Sequence, residues 1–141
     1  MSAEKLYSEI FEDFDKATTK QERLAVLRKN DHPMFRLFLQ AAFHPNVVFD
    51  VNVPKYRPAP EPAGLNYTYL DSEMTKIYRF VKDHPSRPEG LSDKKKTELL
   101  LVALESLHKD EATLLVKLIE KDLGVKHLTP KLVEEAFPGL L

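Results

Sequence analysis

The chain has 141 residues, 43% of them hydrophobic and 30% charged, with a formal net charge of −1 and no cysteine. That length suits one core and that composition a globular protein rather than a disordered or membrane one, while zero cysteine excludes disulfides, thiolate nucleophiles and cysteine metal sites. The near-neutral balance withholds the basic footprint usual for nucleic-acid binding, so any such binding has to rest on local patches.

The first forty-five residues read as helices. In "SAEKLYSEIFEDFDK" the apolar residues Leu6, Ile10, Phe11 and Phe14 recur at three- and four-residue spacing and share one face. In "TTKQERLAVLRKN" Thr19 caps the first turn while Glu22 reaches back, the reciprocal capping-box pattern. Pro33 suits the first turn of the next helix, whose buried stripe is Met34, Leu37, Phe38 and Ala41.

From His44 to Leu70 the character changes, with five of the ten prolines and β-branched and aromatic residues between them. A Pro-rich extended loop over 44–70 is expected, with a short edge strand or hairpin at "VVFDVNV". A structureless loop of this length is uncommon in a compact domain, so the segment either wraps the core, pinned by Phe49, Tyr56, Tyr67 and Tyr69, or carries a function.

Helix returns at "DSEMTKIYRFVKDH", with Asp71 as cap and Met74, Ile77, Tyr78 and Val81 as stripe. Ser92 caps "DKKKTELLLVALESL", and "KDEATLLVKLIEKDL" follows, stopped by Gly124 in a left-handed position. Thr129 caps a last short helix with Pro130 at its first position, and Leu128 is placed to pack on Val133. The expected fold class is therefore all-α, a single compact multi-helix domain over 1–141 with no internal repeat. No apolar run approaches the ~20 residues of a membrane span, and the acidic opening is unlike a signal peptide. A cytoplasmic protein with no membrane association is expected.

Little points to catalysis. His32, His44 and His84 each precede a proline, and no histidine pair has i, i+4 or His-Glu-x-x-His spacing, so no metal site is expected. Neither a Gly-x-Ser-x-Gly motif nor a Gly-rich phosphate loop occurs among the four glycines. No enzyme, catalytic residue or cofactor is therefore expected.

The lysines are more informative. Lys94, Lys95 and Lys96 occupy the first turn of a predicted helix, where the macrodipole makes each cation unfavourable by ~0.3–1 kcal/mol. Lys126, His127 and Lys131 likewise surround the helix start capped by Thr129. Cations at such places make sense when an anion completes the site, since backbone amides, dipole and side-chain charge all favour phosphate. The plainer alternative is a set of solvated lysines, each tolerated because it costs little.

The last fifty residues, "LSDKKKTELLLVALESL" through "LLVKLIEKDLGVKHLTPKLVEEAFPGLL", resemble the all-helical N-terminal DNA-binding domain of ATP-dependent DNA ligases, particularly the compact bacteriophage type. The matching pattern is a helix ending in Asp122-Leu123, a turn at Gly124, a short capped helix, and the terminal Phe137, Pro138, Gly139 and Leu140. "TTKQERLAVLRKN" is similar to that enzyme's second helix, so the likeness spans nearly the whole chain. The Lys-x-Asp-Gly motif that carries the lysyl-AMP of ligases is absent, since Lys121-Asp122-Leu123-Gly124 has the wrong spacing. The resemblance thus implies a stand-alone descendant of the DNA-binding domain, or that domain cut from a longer enzyme.

It further implies a grip on duplex DNA across the minor groove, largely through phosphates, by Ser92, Lys94, Lys95, Lys96, Lys126, His127, Thr129 and Lys131. Val125 and His127 stand where the ligase turns are glycine-rich, so side chains have to replace close backbone approach. The expected function is a non-catalytic, sequence-independent double-stranded-DNA-binding accessory of phage-type replication, repair or transcription. The alternative is a protein-interaction module on the same fold, favoured by Glu98, Glu105, Asp110, Glu111, Glu134 and Glu135 near the basic face. In that case the 44–70 segment docks on a replication or host protein.

Overall fold

The structure, a computed structural model, describes residues 5–63 and 65–141; the part of the expected first helix before residue 5 lies outside them. Among these residues the protein is all-α. It has α1 (Tyr7–Lys16), α2 (Lys20–Lys29), α3 (Pro33–Phe43), α4 (Leu70–Met74), a 3-10 turn at Ile77–Phe80, α5 (Asp93–Glu105), α6 (Lys109–Ile119) and α7 (Pro130–Ala136). Helix α6 is central, packing on α1, α3, α4 and α5, while α2 bridges α1 and α7.

The caps follow the sequence closely. The Thr19, Ser92 and Thr129 hydroxyls accept the amides of Glu22, Lys95 and Leu132, each three residues on. Glu22 reaches past Thr19, however, and takes the amide of Thr18. Helix α1 has no capping side chain of its own at Leu6. Glu9 accepts the Leu6 amide instead, and Glu111, from the first turn of α6, accepts those of Tyr7 at 3.2 Å and Ser8 at 2.8 Å.

Helix α1 buries Tyr7 rather than Leu6 beside Ile10, Phe11 and Phe14. The Tyr7 ring meets Phe35 and Phe38 of α3 edge-on, with centroids 5.2 and 5.1 Å apart. Each such pair adds ~0.5–1.5 kcal/mol to the burial itself. In α3 the fully buried face is Phe35, Phe38, Leu39, Ala41 and Ala42, and the expected Met34 and Leu37 are only partly covered.

Three further expectations are corrected. The helix through 71–84 is broken into α4 and the 3-10 turn, and Asp71 is not its cap, because its carboxylate accepts the Tyr7 hydroxyl at 2.7 Å. Helix α6 ends before Gly124, at Ile119, and the chain turns left-handed at Lys121 (φ +60°). There the amides of Asp122 and Lys121 return to the carbonyls of Lys117 and Leu118 in a Schellman stop. Among the described residues between α3 and α4 no strand forms, and they make only isolated bridges, Phe49 with Val81 and Ala59 with His108. Phe49 and Tyr56 pack on the core as expected, with Val47 and Val51, but Tyr67 and Tyr69 are exposed.

The chain end is held firmly. Phe137 is buried under the Arg36 guanidinium, 4.9 Å from its ring, and Gln40 donates to the Leu140 carbonyl at 3.0 Å. The Glu134 carboxylate accepts the amides of Gly139 and Leu141.

Candidate nucleic-acid interface

Ser92 fixes the start of α5, and from there the three lysines diverge. Lys94 and Lys95 are exposed, whereas Lys96 is 2% exposed. Its ammonium donates to the Asp50 carbonyl at 2.8 Å and pairs with the carboxylates of Asp93 at 3.0 Å and Asp50 at 3.4 Å. Arg87 completes the knot, donating to Asp50 Oδ1 at 2.6 Å and to the Val81 carbonyl at 3.0 Å. Burial pushes the Asp50 carboxyl up, but the Arg87 hydrogen bond and the Lys96 charge outweigh it and hold the group below its ordinary value. Lys96 is therefore spent inside the fold. Helical spacing shows why, because it lies one turn before Leu100 and two before Ala103, on the inward face of α5.

The second group gathers at the start of α7. Lys126, His127, Thr129 and Lys131 are all exposed, around the buried Leu128 and Val133. The backbone here is left-handed at Gly124 (φ +65°) and again at His127 (φ +70°), a conformation that glycine adopts without strain and histidine does not. Val125, by contrast, is not in that region and packs partly on the core.

Among the described residues no hydrogen bond or ion pair joins the two groups, and they stand on different neighbours, α5 against α6 and α7 against α2. Two features were not anticipated. Residues 76–96 carry Lys76, Arg79, Lys82, Arg87, Lys94, Lys95 and Lys96 against Asp83, Glu89 and Asp93, and Lys76 and Lys82 are exposed. A segment-by-segment charge tally would have found them. Beside Leu123, Gly124 and Val125 lies a cleft of about 260 Å³ whose charged lining is Glu12, Asp15, Asp110 and Lys117. Its acidity comes from α1 and α6 together, which no local window reveals.

Among the described residues no three His, Asp or Glu side chains come together as a metal-holding group, and no helix is long and apolar enough to cross a membrane. A family model described as a family of unknown function (DUF6433) matches residues 10–125. No curated protein matches the chain.

Proposed function

We propose that this chain, which belongs to the DUF6433 family, is a non-catalytic protein that binds double-stranded DNA without reading its sequence. Its place is as an accessory in phage-type replication, repair or transcription, and its fold is of the DNA-ligase N-terminal kind. The observation that carries the reading is the exposure of Lys94, Lys95, Lys126, His127 and Lys131, at the two places where the ligase resemblance puts phosphate contacts. Ser92 and Thr129 hold both helix starts in shape, and Lys82 and Lys76 extend the basic surface beyond α5. Phosphates approaching the 126–131 group have to pass outside the acidic cleft, since its carboxylates repel them.

Lys96 leaves the contact set, and four lysines remain. If Lys94, Lys95, Lys126 and Lys131 each neutralise one phosphate, log affinity falls against log salt with a slope of about −3 to −4. Lys94→Glu combined with Lys95→Glu should weaken binding by about tenfold or more and flatten that slope to about −2, with unchanged circular dichroism. Electrophoretic shifts of intact, nicked and single-stranded DNA at two salt concentrations measure both quantities. Salt-independent retardation, or none at low salt, overturns the proposal.

A further inference from the structure

The other end of α5 has a different character. Leu65 is 71% exposed, Tyr67 92% and Val102 65%. The Thr68 amide donates to the Ser106 carbonyl at 3.1 Å, which brings the stretch that carries Leu65 and Tyr67 to the last turn of α5, one turn after Val102. Between Leu65 and Tyr67 sits Asn66, 8% exposed. Its Nδ2 donates to the Glu61 carbonyl at 3.0 Å, and its Oδ1 is a buried acceptor that no described residue serves. Glu61, Glu98 and Glu105 are exposed around this patch, and none of them forms an ion pair among the described residues. Among the described residues Glu105 accepts the backbone amide of Arg57, at 3.1 Å, and pairs with no cation.

Apolar side chains ringed by unpaired carboxylates repel phosphate and call for cationic donors on an apolar body. We propose that Leu65, Tyr67 and Val102, with the three glutamates, dock a cationic, apolar-faced polypeptide segment. Its aliphatic side chains cover Tyr67 and Val102, and its lysines or arginines pair with the exposed glutamates. From Lys94 to Val102 the helix rises roughly 12 Å, so the apolar part of this surface stands two turns beyond the basic start of α5, with Glu98 between them.

The probe is a synthetic helical peptide of about 18 residues with leucines on one face and lysines on the other, titrated into the isotopically labelled full chain. A leucine–glutamate peptide of equal length is the control. Saturable binding on the order of 10–100 µM is expected, with amide shifts confined to 65–69 and 98–106. Tyr67→Ser combined with Val102→Ser, both at exposed positions, should weaken it about tenfold or more while leaving circular dichroism and DNA retardation unchanged. Equal binding of the acidic peptide, shifts centred elsewhere, wild-type affinity in the double variant, or the same amides moved by a DNA oligonucleotide or by self-association overturns the proposal.

Discussion

Lys121 holds a left-handed backbone, which strains any residue with a Cβ. Its ammonium meanwhile donates to the carbonyls of Ala41 at 2.6 Å and His44 at 2.7 Å, closing the C-terminus of α3, which has no basic residue in its own last turn. Lys121→Met should cost about 2–3 kcal/mol, because two partly buried carbonyls lose a charged donor. Lys121→Gly should recover about 1 kcal/mol of that by relieving the backbone. Urea denaturation ranks the two, and a glycine variant no more stable than the methionine one would refute the strain. Asp50 and Glu111 make the acid response two-sided. Asp50 is held below its ordinary value of 3.8, so its contribution is present above that value and lost as pH falls through the folded one. Burial pushes Glu111 above 4.5, so its contribution is complete below that value and lost as pH rises through the folded one. Unfolding curves from about pH 4 to 7 should therefore show the wild type losing stability relative to Glu111→Gln as pH rises. Sequence shows His44 and His84 as turn residues before proline, but not the means. Each turns its Nδ1 onto the amide two residues ahead, as His108 does at the start of α6.

At the scale of elements, capped helices with strong periodicity were legible. Thr19, Ser92 and Thr129 each mark a start because a short hydroxyl side chain satisfies an amide that the helix leaves open. What escaped were contacts made across the fold. Asp71 looks like a cap until Tyr7 claims it, and Glu111 looks like a solvated carboxylate until α1 docks on it. Lys96 belongs between these cases, since its inward position could be counted from Leu100 but its partner Asp50 could not. The split among the three lysines is measurable. Lys96→Met should destabilise the fold by about 2–4 kcal/mol, because Asp93 and the Asp50 carbonyl lose their cation. At temperatures where that variant stays folded, its DNA retardation should match the wild type, opposite to the behaviour of the Lys94, Lys95 double variant.

For the molecule as a whole, the core joins α1 through α7 and the chain end in one cluster. The closing stretch belongs to it as fully as any helix does. Phe137→Ala should cost about 3–5 kcal/mol, and thermal unfolding should remain one transition, since no separate unit exists there to melt early. The two proposed surfaces were unequally legible. Exposed cations stand in runs that any reader of the sequence sees, whereas the patch at Leu65, Tyr67 and Val102 is assembled from a loop and a helix nearly forty residues apart. Tyr67 was one of four aromatic residues expected to pin that loop if it wraps the core, and it is exposed instead.

The two ends of α6 have one more consequence. Glu111 meets the amide pole of α1, and Lys121, just past the other end, meets the carbonyl pole of α3. Apolar burial has no sense of direction, so stripes like those of α1 and α3 would bury almost as much surface if either helix ran the other way. Reversed, α1 would turn carbonyls toward a carboxylate and α3 would turn amides toward an ammonium, and both attractions would become repulsions. The central helix thus acts as a polarity gauge, admitting its neighbours in one orientation and rejecting the arrangement that hydrophobicity alone would accept.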